Sequence, residues 1–205
     1  MIDIVQQIAA AHRAVELRSG ADGESVSILV RRTYDTAIEN VWNALTDPDR
    51  LRRWFLPVSG EFRVGGRFQV EGMAGGDILH CDPPKLLRVT YGHETSLVEV
   101  RLAEDGEATV LELDHTVPLA LAGSVAGALY VGPGWDGAVM GLGLYLSGME
   151  TDDPVVAANS PEVLEFSSHS ISVWESVVKA AGLATDEELV DAVAAAKAQF
   201  IPDKS

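Results

Sequence analysis

This chain of 205 residues is poor in cysteine, in basic residues and in aromatics, and each shortage excludes something. Its one cysteine, Cys81, has no partner in the chain, so no intramolecular disulfide framework holds the fold and a reducing, cytoplasmic setting is expected. Only 15 Lys and Arg stand against 31 Asp and Glu, a formal charge of −16. Polyphosphate and anionic membrane surfaces are repelled by such a chain, which argues against nucleic acid and membrane as partners. The N-terminus lacks the basic residues and unbroken apolar stretch of a signal peptide. One uncharged stretch, Thr116 to Trp135, approaches the ~20 residues of a bilayer span. Pro118 and Pro133 interrupt it, and no Lys or Arg lies between Arg101 and Lys179 to anchor it, so it reads as a buried loop feeding a buried helix.

What is present is a foldable 47% of apolar residues in clear periodicities. Ile4, Ile8, Ala11 and Val15 recur at helical spacing, which predicts an N-terminal helix within residues 1–24. Val26, Ile28 and Val30 then alternate as a strand, and Ile38, Val41, Trp42 and Leu45 return to helical spacing before Asp47-Pro48. A short helical turn over PDRLRRWF follows. From there the period is two through GEFRV, GRFQVEG, GDILHC, KLLRVTYG, SLVEVRLAE and EATVLELDHTV, with glycine, proline and aspartate turns between them. Connections this short permit only antiparallel pairing. About seven strands in one meander are therefore expected. Leu87, Val89 and Tyr91 share a face, as do Val98, Val100 and Leu102, and Leu111, Leu113 and His115. Arg88, Glu99, Arg101, Glu112 and Asp114 take the opposite, wet face.

A helix over Gly134 to Met149 is the candidate cover for the apolar face. Trp135, Val139, Leu142, Leu146 and Met149 form its stripe, with Asp136 opposite and a flank of glycines suited to close approach. After Asp152-Asp153-Pro154, Ser160 and Pro161 open a helix bearing Val163, Phe166, Trp174 and Val177, which Gly182 ends. Thr185 and Glu188 make a capping box for a last helix that stops before Pro202.

The words along this chain resemble a known family. Arg32-Thr33-Tyr34, Val41 through Pro48, Arg53-Trp54-Phe55, Gly65-Gly66-x-Phe68, Asp82-Pro83-Pro84, Leu111-x-Leu113-x-His115 and Gly134-Trp135 occur in the order of the START-like (SRPBCC, Bet v-type) superfamily. Within it they are similar to homologues of the activator of Hsp-90 ATPase, over residues 24–149. The tail from Ser160 through Trp174 resembles the extension of many actinobacterial members. The resemblance implies an α+β helix-grip core over residues 25–150, with a helical extension over 151–205 in the same domain. It also implies a cavity between curved sheet and long helix that takes lipids, polyketides or aromatic metabolites. Some relatives catalyse cyclisation or hydrolysis there, and the branch name suggests a cochaperone-like, protein-binding alternative.

On that reading the ligand-binding candidates are Trp54, Phe68, Val89, Tyr91, Val98, Val100, Leu111, Leu113, His115, Trp135, Val139 and Leu142. His115 is the one catalytic candidate, because an imidazole on an apolar face either is hydrogen-bonded or serves a ligand. No cofactor is expected. Asp77, His80, Cys81 and Asp82 offer metal-ligand chemistry, but His80 and Cys81 point to opposite faces of a strand, so no metal site is expected. Gly132-Pro133-Gly134-Trp135-Asp136-Gly137 fits a dinucleotide fingerprint without the βαβ setting it needs, and reads as a helix start. Arg50, Arg52 and Arg53 form the dense basic cluster, with Asp47 and Asp49 at hand to pair with it. The tail should pack on the body or on a second copy, which leaves a homodimer open.

Overall fold

The computed structural model describes residues 2–21, 23–149 and 153–202. Helix α1 (Ile4–Ala9) leads into a hairpin of β1 (Ala11–Gly20) and β2 (Gly23–Tyr34), followed by helices α2 (Ile38–Thr46) and α3 (Pro48–Leu51). The meander then runs through β3 (Val58–Gly60), β4 (Arg67–Val70), β5 (Gly75–Asp82), β6 (Leu86–Tyr91), β7 (His93–Asp105) and β8 (Ala108–Pro118). A short α4 (Leu119–Ala122) and a 3-10 segment over Val125–Tyr130 lead into α5 (Gly132–Leu146). Helices α6 (Pro154–Ala158), α7 (Pro161–Ala181) and α8 (Asp186–Phe200) make the tail. The strands form one antiparallel sheet in the order β1-β2-β8-β7-β6-β5-β4-β3.

The expected face parity holds in the central strands. Val26, Ile28, Val30, Val98, Leu102, Leu111 and Leu113 are buried on one face. The other carries cross-strand charge pairs, including Arg18 with Asp114 at 2.7 Å and Arg31 with Glu112 at 3.7 Å. Exposed pairs of this kind add little stability. Their service here is to keep that face wet.

Three expectations need correction. The helix expected within residues 1–24 spans only Ile4–Ala9, and Ala11–Gly20 is an eighth strand. Ala11 and Val15 fit a period of two as well as a helical one, and pairing along ten positions of β2 puts both side chains in the core. GEFRV is largely loop: the strand there is Val58–Gly60, a three-residue edge that shares only Gly60 with it. The covering helix ends at Leu146, where Gly148 adopts φ +83 and leaves Met149 outside the stripe and exposed.

The tail packs on the body. Ser160 caps α7, Gly182 closes it in the left-handed conformation, and the Thr185–Glu188 capping box opens α8. Asp153 caps the additional α6, while Asp152 lies outside the described residues. Phe166, Ile171, Trp174 and Val178 are buried, with α7 against α5 and β1. This contact puts Asp136 in the interior, fully buried, although the amphipathic pattern of α5 places it opposite the sheet-facing stripe. Its Oδ2 accepts from Arg13 Nε at 2.7 Å, Ser170 Oγ at 2.5 Å and Trp174 Nε1 at 3.1 Å, tying β1, α5 and α7 together. Burial pushes its carboxyl up from the usual carboxylate range, and the Arg13 guanidinium pulls against that shift. Gly132 is glycine because a Cβ there would stand 2.5 Å from the Trp174 ring. The glycines of α5 thus accommodate the tail and, at Gly143, the buried Arg32 guanidinium.

Candidate ligand-binding cavity

Between the concave sheet and α5 lies a cavity of about 410 Å³, within the usual range for small-molecule sites. Its floor comes from alternate residues of the meander: Leu87, Val89 and Tyr91 on β6, Val98 and Val100 on β7, Leu111 and Leu113 on β8. Trp135, Val139 and Leu142, one face of α5, make its roof. Trp54 and Phe68 close the sides. Every ligand-binding position named from the sequence except His115 lines this one space.

His115 is on the expected face but is sealed from the cavity. Its partners are the Ser96 hydroxyl at Nε2 and the Trp135 indole at Nδ1, both at 2.9 Å. An indole N–H only donates, so Nδ1 accepts, and the neutral ring carries its proton on Nε2 and donates to Ser96. Trp135 and Tyr91 pack edge-on or tilted against the imidazole and one another, with centroids 5.7–6.3 Å apart. They present their own surfaces to the cavity in place of the imidazole. Burial lowers the pKa of His115 to about 4, with the Asp114 carboxylate only partly opposing the shift. Of the two roles open to His115 from the sequence, hydrogen-bonded core group or ligand contact, this arrangement fits the first.

The wall also includes residues that strand and helix periods did not single out. Phe55, Phe62 and Arg63 come from the end of the α3 turn and from the loop read as a strand. Cys81 lines the cavity while His80 is exposed, so the two do point apart; a bulge between Ile78 and His80 turns Leu79 outward with it. Asp77 pairs with Arg67 at 3.2 Å. Among the described residues no group of His, Cys, Asp and Glu could hold a metal ion. In the basic cluster Arg52 pairs with Asp49 at 3.2 Å. Arg50 and Arg53 both stack on Tyr145, and Arg50 Nε donates to its hydroxyl at 3.0 Å. That contact places two cations near the C-terminal, negative end of α5 and fastens the α3 turn to the roof. An open trough of about 530 Å³ past Gly60, Gln69 and Gly75 on the sheet edge lacks any comparable apolar wall.

A curled antiparallel sheet gripping a long helix across an apolar cavity defines a START-like, helix-grip protein. Residues 35–146 match the family model described as Activator of Hsp90 ATPase homolog 1-like protein, and the chain belongs to that family. It is similar to CalU16 from Micromonospora echinospora: the crystal structure shares 38% identity over 82% of this chain and 98% of that one, with a TM-score of 0.68. That coverage exceeds the 35–146 span, so the likeness includes more than the grip core. DynU16, from the dynemicin biosynthetic locus, shares 27% identity over 62% of this chain and 48% of that one, with a TM-score of 0.50. An AHSA1-like protein from Rhizobium etli shares the fold at 24% identity, TM-score 0.53, over 67% of this chain and 92% of that one. No curated protein matches. Among the described residues no helix is long and apolar enough to cross a membrane.

Proposed function

We propose that this protein binds a small, largely apolar molecule, lipid-, polyketide- or aromatic-like, in the cavity between sheet and α5, and does not transform it. The observation that carries this reading is the wall itself, aliphatic and aromatic side chains closing on about 410 Å³. Burial of a ligand's apolar surface there contributes roughly 25 cal/mol per Å² before the costs of association are met. A cyclase or hydrolase needs a general acid or base within reach of the reacting atoms. His115, the candidate for that part, has both ring nitrogens engaged by Ser96 and Trp135, which supports a binder over an enzyme. A relative from a biosynthetic locus favours a metabolite over a chaperone as the partner.

The test is mass spectrometry of the purified protein before and after solvent extraction, with the extract analysed alongside. A stoichiometric apolar compound recovered unchanged supports the reading. A chain that carries no such compound and takes up none from a library of apolar metabolites contradicts it.

A further inference from the structure

The cavity wall is apolar but not featureless, and its polar side-chain groups can be accounted for one by one. Trp54 Nε1 donates to the Ala44 carbonyl at 3.0 Å, Trp135 Nε1 to His115, and Thr46 Oγ1 to the Trp42 carbonyl at 2.8 Å. Arg63 is paired with Glu61 at 2.6 Å, and both side chains are largely exposed, which places this ion pair at the rim. Three groups are left: the Tyr91 hydroxyl, the Trp42 indole N–H and the Cys81 thiol. Among the described residues none of them has a hydrogen-bond partner. The thiol is a weak donor, and Trp42 is 7% exposed. Tyr91 is half-buried, packs against Trp135, and is held in its neutral, donating form by burial.

The charges of the wall limit the ligand further. Among the described residues no carboxylate and no lysine lines the cavity, and the guanidinium that does, Arg63, is already matched by Glu61. An ionised group drawn inside would lose its hydration without gaining a counter-charge. An anion would also approach against a formal charge of −16.

We infer that the ligand is uncharged and carries a hydrogen-bond-accepting oxygen of carbonyl type, which seats against the Tyr91 hydroxyl while the rest of the molecule fills the apolar space. This rests on the cavity-binding reading above and adds to it the polarity of the ligand and the residue that orients it. Trp42 is the second donor available to an acceptor elsewhere on the molecule.

The experiment uses three matched fluorophores on the intact chain. They are the ketone 6-propionyl-2-(dimethylamino)naphthalene, its parent 2-(dimethylamino)naphthalene without the carbonyl, and 6-(dimethylamino)-2-naphthoate. The emission of the ketone moves to the red when its carbonyl accepts a hydrogen bond, so orientation is read separately from affinity. We expect the ketone to bind about tenfold more tightly than the parent, the span of one neutral hydrogen bond, and the carboxylate to bind at least about tenfold more weakly than the ketone. Tyr91→Phe should erase the advantage of the ketone and shift its emission to the blue, leaving the parent unchanged; Trp42→Phe should preserve the red emission. The inference is overturned if Tyr91→Phe leaves the affinity and emission of the ketone as they were, if Trp42→Phe alone removes the red shift, or if the carboxylate binds as well as the ketone. If neither neutral probe binds at all, the cavity-binding reading falls with it, an outcome distinct from equal binding of all three.

Discussion

Replacing His115 by Gln should change how stability depends on pH. In the wild-type fold the imidazole is 3% exposed, bonded at both nitrogens, and its pKa is lowered from 6.5 to about 4. The unfolded chain therefore takes up a proton at this site at a higher pH than the folded chain does. A folded pKa below the unfolded one gives stability that is complete above pH 6.5 and is lost as the pH falls toward 4. With those two values the loss between pH 7 and pH 5 is about 2 kcal/mol, and by pH 4 about 3 kcal/mol. Asp114, whose pKa is lowered chiefly by its bonds to Arg18, Ser27 and Thr116 against the cost of burial, contributes in the same direction below its ordinary range of about 4. Pulled upward by burial, Asp136 contributes in the opposite direction. Both are common to the two proteins. Glutamine offers one acceptor and one donor toward Trp135 and Ser96 but does not titrate. Urea unfolding of both proteins at pH 7 and pH 5 isolates the histidine, and the wild type should lose about 2 kcal/mol more than His115→Gln over that interval. Equal losses would refute a neutral, buried His115.

Three further outcomes follow from the packing. Asp136→Ala leaves the Arg13 guanidinium buried without a counter-charge and should cost about 3–5 kcal/mol in denaturant unfolding. Gly132→Ala drives a Cβ to within 2.5 Å of the Trp174 ring and should cost about 1–3 kcal/mol, with a change in tryptophan emission; unchanged stability would mean that α7 does not sit on α5 as described. Truncation after Met149 removes Ser170 and Trp174 from Asp136 and exposes the back of α5, so the shortened chain should melt at lower temperature or associate; a melt like that of the intact protein would show the tail to be an appendage.

Much of this architecture is legible in the sequence because it is set by local periodicity. Val98, Val100, Leu111 and Leu113 fall on one face by strand parity alone, and so the cavity floor could be named before the fold was known. Ser160, Gly182 and the Thr185–Glu188 pair likewise mark helix ends through local hydrogen bonding. The misread positions are those decided by distant partners. Ala11 and Val15 satisfy both periods, and the available edge of β2 decides for a strand. Asp136 is polar and opposite the stripe, yet α7 buries it. His115 has the parity of a cavity residue, but which aromatic covers it depends on where α5 docks, and no spacing within β8 records that. Phe62 and Arg63 reach the cavity from a loop, where neither period applies.

The central claim is that the space beneath α5 is a ligand site. Native mass spectrometry of the intact chain beside Val100→Trp, which projects an indole into that space from β7, tests it most directly. The account predicts that the intact protein carries or takes up one apolar small molecule per chain, while a folded Val100→Trp variant of unchanged helix and strand content takes up none. Equal uptake by the two proteins would contradict it.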